Sequence, residues 1–138
     1  MDDLYTDSAK RVMAIAQEQA NYFRHQAIGT EHLLLALTIE DKGVAGQVLK
    51  QAMVTPSDVR REIERLAGYG NLLRQSPSNY LPYSPKAKAV LDETRKQAFL
   101  TGAVRIGTEH FLLALLSDED ILSSRILTSL HVDCKKLR

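Results

Sequence analysis

The chain has 138 residues, 44% of them hydrophobic, and 18 Lys and Arg against 17 Asp and Glu leave a net charge of +1. A single domain of this length buries about two thirds of the surface its unfolded form exposes, so it holds a core without disulfides or structural metals; the lone cysteine, Cys134, excludes an internal disulfide framework and points to a reducing compartment. The balanced charge excludes the broad cationic face of a nucleic-acid binder, and the longest apolar run, Leu33 to Leu37, is too short to cross a bilayer, so a soluble, unexported, cytoplasmic protein is expected.

Thr6 is a good N-cap for a first helix running to about Phe23, whose Ala9, Val12, Met13, Ala16 and Ala20 form an apolar stripe at three-and-four spacing. Gly29 permits a turn, and Thr30 is expected to cap a second helix through Leu37. A third helix covers Val44, Val48 and Leu49. Thr55-Pro56 opens a fourth, with Val59, Ile63 and Leu66 on one side, Arg60, Arg61, Glu62, Glu64 and Arg65 on the other, and Gly68 as its stop. Gly68 to Pro82 reads as a surface connection rich in turn residues. Ser84-Pro85 then repeats the cap-plus-helix start. No segment alternates as a strand.

The chain also repeats itself. Shifted by 78 positions, Tyr5 to Arg60 falls on Tyr83 to Arg138 without a gap, so that Ile28-Gly29-Thr30-Glu31-His32 meets Ile106-Gly107-Thr108-Glu109-His110 and Leu34-Leu35-Ala36-Leu37 meets Leu112-Leu113-Ala114-Leu115. This gives one domain over 1–138, with repeat one at 5–67, a linker at 68–82 and repeat two at 83–138. The second unit ends within its fourth helix, as a piece of something longer would.

The repeated Gly-Thr-Glu-His is the strongest functional signal, although each residue has a structural use: glycine turns, threonine caps and glutamate complements the helix dipole. Its duplication speaks first for common ancestry. His25, His32, His110 and His131 sit among carboxylates, but no His-Glu-x-x-His occurs and adjacent Glu31 and His32 diverge by about 100° on a helix, so no metal site is expected. Neither a Gly-x-Ser-x-Gly nucleophile nor a Gly-x-x-x-x-Gly-Lys-Ser/Thr phosphate loop is present, and no catalytic residues are assigned. The charged side of the fourth helix reads as solvated surface.

On these residues the sequence resembles the amino-terminal domain of Clp-type AAA+ unfoldases, ClpC above all: the opening Tyr-Thr-Asp-Ser-Ala-Lys-Arg-Val, both Ile-Gly-Thr-Glu-His segments, and Gly43-Val44-Ala45-Gly46-Gln47-Val48-Leu49. The resemblance implies an all-α fold of two pseudo-twofold-related four-helix repeats, the last helix truncated here. It implies a non-enzymatic recognition domain, monomeric in isolation, without a cofactor of its own. The parent would be a hexameric ATPase using ATP and Mg and feeding the ClpP peptidase.

The implied partners are adaptors such as MecA and proteins tagged on phosphorylated arginine, with neither nucleic acid nor membrane among them. A phosphoarginine receptor needs a carboxylate for the guanidinium and helix-start amides for the phosphate. The family's site residues fall on Glu31, Glu109, Thr6 and Ser84, and Lys10 and Lys88 add nearby charge. A first helix of about 27 Å separates Thr6 from Glu31, so the pseudo-twofold is expected to pair Thr6 with Glu109 and Ser84 with Glu31. Ser84 departs from the usual Thr, and Ile121 and Ser124 stand where repeat one has Gly43 and Gly46. The competing readings are a freestanding double-repeat protein that competes for tagged substrates, and a small helical DNA-binding or regulatory module, which the charge disfavours.

Overall fold

A computed structural model describes residues 4–70, 81–133 and 137. Cys134, Arg138, most of the expected linker and, Leu137 excepted, the expected start of a last helix lie outside the described residues.

The fold is all-α, with seven helices among the described residues: α1 Asp7–Tyr22, α2 Thr30–Ile39, α3 Val44–Gln51, α4 Pro56–Leu66, α5 Pro85–Leu100, α6 Thr108–Leu116 and α7 Leu122–Ser129. The starts of α5, α6 and α7 each lie 78 residues after those of α1, α2 and α3. Thr6, Thr55 and Ser84 cap as their side chains dictate, accepting from the backbone N–H of Ala9, Asp58 and Ala87 at 3.1 Å each. Gly68, at φ +66°, ends α4.

The threonines of the repeated motif depart from expectation. Gly29 and Gly107 occupy the N-cap positions, so Thr30 and Thr108 are already the first helical residues. Their hydroxyls cap helices of the opposite half instead: Thr108 Oγ1 accepts from Ala45 N–H at 3.1 Å at the start of α3, and Thr30 Oγ1 accepts from Ser123 N–H at 3.3 Å at the start of α7. The reason is that α3 and α7 begin at Gly43 and Ile121, whose side chains have no acceptor. Gly43 must stay bare because a Cβ there would overlap Thr108. At Gly46 a Cβ would press on the Glu40 carbonyl, whereas Ser124 at the matching place in the second half uses its hydroxyl on the carbonyls of Asp118 and Leu115 at 2.6 and 3.1 Å.

The halves are also joined at their entrances. Thr6 N–H donates to Ile106 O at 2.9 Å and Ile106 N–H to Leu4 O at 2.6 Å; reciprocally, Ile28 N–H donates to Pro82 O at 2.8 Å and Ser84 N–H to Ile28 O at 2.9 Å. These are two isolated parallel bridges rather than a sheet.

Hydrophobicity all round α2 and α6 makes them the central helices. Leu33, Leu34, Leu35, Ala36 and Leu37 are buried on α2, as are Phe111, Leu112, Ala114, Leu115 and Leu116 on α6. The α1 stripe packs on α2, α5 packs on α6, and α2 reaches across to α6 and α7. Val59 and Ile63 of α4 are buried, but Leu66 in its last turn is 39% exposed. The opposite face carries the exposed pairs Arg61–Asp58 and Arg65–Glu62, which add little stability.

One ion pair has a buried member. Glu40 accepts from Arg11 Nε at 2.7 Å and from Gly43 N–H at 2.9 Å. Burial opposes its charge, but these donors, Ser8 and the Arg11 charge outweigh that and hold its carboxyl below the ordinary carboxylate range.

Thr30→Ala and Thr108→Ala should each lower the unfolding free energy by about 1 kcal/mol, with urea unfolding followed by circular dichroism remaining a single transition because the two halves share these bonds. Ser123 Oγ is buried with no partner among the described residues, and Ala45 holds the equivalent place in the first half. Ser123→Ala should therefore raise stability by about 1 kcal/mol in the same measurement.

Candidate functional site

Each residue of the Gly-Thr-Glu-His motif has a distinct physical task. The glycine is the N-cap and lacks a Cβ, and the glutamate two residues on folds its carboxylate back over it: a Cβ on Gly29 would overlap the Glu31 carboxylate, and one on Gly107 that of Glu109. The histidine, third residue of the helix, takes the part usually played by glutamate in a capping box. His32 Nδ1 accepts from Gly29 N–H at 2.8 Å, and His110 Nδ1 from Gly107 N–H at 2.8 Å. Both carboxylates thus lie at helix starts, where the dipole favours negative charge.

Around Glu31 the bonding extends further. His25 Nδ1 lies 2.8 Å from His32 Nε2, and His25 Nε2 lies 2.7 Å from the Gly68 carbonyl. An amide N–H can only donate and a carbonyl can only accept, which orders the protons. His32 carries its hydrogen on Nε2 and donates to His25 Nδ1; His25 carries its hydrogen on Nε2 and donates to Gly68. Two neutral imidazoles thereby tie the start of α2 to the end of α4. Burial, then the neighbouring His25, lowers the His32 pKa from 6.5 to about 3. Burial also pushes the Glu31 carboxyl up, against the pull of its own backbone N–H and of His25.

The second half is built differently at this point. Ala103 stands where the first half has His25, and Thr101 where it has Phe23. His110 Nε2 lies 3.3 Å from the Thr101 hydroxyl, which itself reaches the Gln97 and Ala98 carbonyls at 3.0 and 3.1 Å.

The site residues expected from sequence fall into two groups. The bridge at Thr6–Ile106 sets the start of α1 beside the loop entering Gly107-Thr108-Glu109, and the bridge at Ile28–Ser84 sets the start of α5 beside Gly29-Thr30-Glu31. Thr6 and Glu31 belong to opposite ends of the antiparallel α1–α2 pair, so they do not share a group. Lys10 and Lys88 lie one turn into α1 and α5, both exposed.

The family model for the Clp repeat (R) N-terminal domain matches residues 4–130. The chain belongs to that family. Its relatives include the negative regulator of genetic competence ClpC/MecB of Bacillus subtilis, 36% identical over 134 residues, and the chaperone protein ClpB of Oceanobacillus iheyensis, 35% identical over 134 residues. Each match covers 97% of this chain and 16% of the relative, so the chain spans about one sixth of the length of these proteins. Among solved structures, the N-terminal domain of ClpD from Arabidopsis thaliana superposes with a TM-score of 0.80 at 21% identity, covering 97% of this chain and 89% of that one. The ClpV N-domain in complex with a VipB peptide superposes with a TM-score of 0.72 at 20% identity, covering 99% and 82%. These two likenesses carry the fold.

Two further features of this Clp N-domain were not legible beforehand. The divergence of Glu31 and His32 along α2 does not keep them apart from a third group: His25 arrives from the α1–α2 loop, and ligand atoms of His25, Glu31 and His32 all lie within 4.8 Å of one another. The donor set nevertheless does not fit a metal. A ligating imidazole must present a lone pair on one nitrogen and donate from the other, whereas His32 Nδ1 faces the Gly29 N–H and Nε2 would have to lose its proton. Separately, an apolar groove of about 590 Å³ runs between the end of α2, α3 and α4, past Ile39, Lys50, Met53, Val54, Pro56 and Arg60. It includes none of the expected site residues.

The buried imidazole makes stability depend on pH. Folded His32 stays neutral to about pH 3 while the unfolded side chain takes its proton near 6.5, so the unfolded state binds more protons in between. The stabilisation is complete above about pH 6.5 and is lost as pH falls, at up to about 1.4 kcal/mol per pH unit. Urea titrations across that range should show this slope in the native domain and a flatter one in His32→Asn.

Proposed function

We propose that this domain is the substrate- and adaptor-recognition module of a Clp AAA+ unfoldase, and that it receives proteins carrying phosphorylated arginine at two composite sites. Glu31 with the Ser84-capped start of α5 makes one; Glu109 with the Thr6-capped start of α1 makes the other. The observation that carries the reading is the reciprocal pair of backbone bridges, Thr6 to Ile106 and Ile28 to Ser84, by which a helix start from one half meets a glutamate loop of the other. Phosphoarginine bears a guanidinium and a phosphate side by side. The carboxylate accepts the guanidinium N–H groups, while helix-start amides and the dipole suit the phosphate. Lys10 and Lys88 add positive charge on the phosphate side. Adaptors of the MecA type are the second partner class, and the VipB peptide held by the ClpV N-domain agrees with peptide recognition. In the parent, a cytoplasmic hexamer would use ATP and Mg to deliver bound proteins to ClpP.

Calorimetric titration with a phosphoarginine peptide, and with arginine and phosphoserine peptides as controls, tests this. The phosphoarginine peptide should bind, and Glu31→Ala/Glu109→Ala should weaken it by about tenfold or more, as expected for losing a charge-assisted pair. Gly29→Ala/Gly107→Ala should also weaken binding by displacing both carboxylates; both glycines have negative φ, so the cost in stability is that of a poorer N-cap, about 1 kcal/mol each. Equal affinity for the three peptides, or full affinity in a folded double glutamate variant, refutes the proposal.

A further inference from the structure

We propose that the two composite sites differ in their response to protons: the Glu31 site is gated by His25, and the Glu109 site is not. This rests on the recognition reading above. The chain of bonds Gly29 N–H, His32, His25, Gly68 carbonyl has each position filled by one proton. A proton added to His25 must go on Nδ1, where it would face the Nε2–H of His32. That contact then breaks, and the imidazolium needs another acceptor.

Glu31 is the acceptor at hand. Its carboxylate lies within 4.8 Å of the His25 and His32 nitrogens. Among the groups facing His25 are Glu31 and His32 from α2, the Gly68 carbonyl at the end of α4, and the Phe23 ring from the end of α1, stacked at 5.5 Å; Arg24 precedes it in the chain. Glu31 is the carboxylate among them, so a charged His25 pairs with the group that the ligand's guanidinium requires. Burial keeps His32 neutral to about pH 3. Histidines as a class change charge between about pH 5 and 8.

The second half lacks the device. Ala103 replaces His25, and His110 Nε2 meets the hydroxyl of Thr101, which can rotate between donating and accepting. Duplication therefore left two sites with the same carboxylate, glycine and capping histidine but one proton sensor.

The test uses single-site variants. Glu109→Ala leaves the Glu31 site and Glu31→Ala leaves the Glu109 site, and the phosphoarginine peptide is titrated into each at about pH 7.5 and about pH 6. Ionisation of the peptide is common to both arms. On acidification the Glu31 site should weaken about fivefold more than the Glu109 site, and His25→Asn in the Glu109→Ala background should abolish the excess. Parallel loss at both sites, or an excess that survives His25→Asn, overturns the gate. Nitrogen-15 NMR of the imidazoles without ligand separates the two ideas. The His25–His32 bond should be present at about pH 7.5 and lost at about pH 6 with His32 still neutral; a bond that persists overturns the gate even if the peptide binds. Failure of both variants to bind at either pH removes the recognition reading, and the gate with it, while the NMR result still stands for the relay.

Discussion

Two threonine hydroxyls and two short backbone bridges hold the architecture together, and each crosses from one half of the chain to the other. Without Thr108 the Ala45 N–H in the first turn of α3 loses its side-chain acceptor, because the N-cap there is Gly43; without Thr30 the Ser123 N–H of α7, whose N-cap is Ile121, does the same. The central helices α2 and α6, buried on nearly every side, could pack in several registers on hydrophobicity alone. The exchanged caps select one, since a shift of a single residue would lose a bond in each half at once. Local helix formation and global packing are in this sense one problem, in which neither half satisfies its own backbone.

The same exchange shapes the candidate site. The bridges bring Thr6 and Ser84 to the loops that precede Glu109 and Glu31, while the bare glycines admit the folded-back carboxylates. The glutamates are thus oriented by backbone geometry that neighbouring residues of the motif enforce, with the histidine closing the N-cap from below. Gly-Thr-Glu-His is a sequence in which every residue supports its neighbour or the opposite half, and this accounts structurally for the presence of both copies without reference to any ligand.

Much of the fold was legible in the sequence because its signals are local. Apolar spacing at Ala9, Val12, Ala16 and Ala20, the caps at Thr6, Thr55 and Ser84, and the stop at Gly68 all depend on residues a few positions apart. The family likeness followed from the duplicated motif for the same reason. What escaped was non-local. Thr30 reads as a cap of its own helix because nothing nearby reveals that its hydroxyl is used 93 positions away, and His25, weighed in the sequence only as a metal ligand, shows no sign there of its bonds to His32 and Gly68, which come from two other elements. Helical angles separate Glu31 from His32, yet a loop residue can approach both. Leu66 matched the apolar stripe of α4 but sits where the helix leaves the core.

The reciprocity of the caps has a consequence for assembly. In each case residue i of one half meets residue j of the other, and j meets i, which is the arrangement of an isologous dimer with twofold symmetry. Such an interface closes on two copies and offers nothing to a third, so it does not propagate into filaments. Joining the copies in one chain makes their association unimolecular, with an effective concentration set by the connection rather than by the amount of protein present. The pairing therefore survives dilution, and the two halves, freed from the identity that a true homodimer imposes, can diverge residue by residue, as His25 and Ala103 already have.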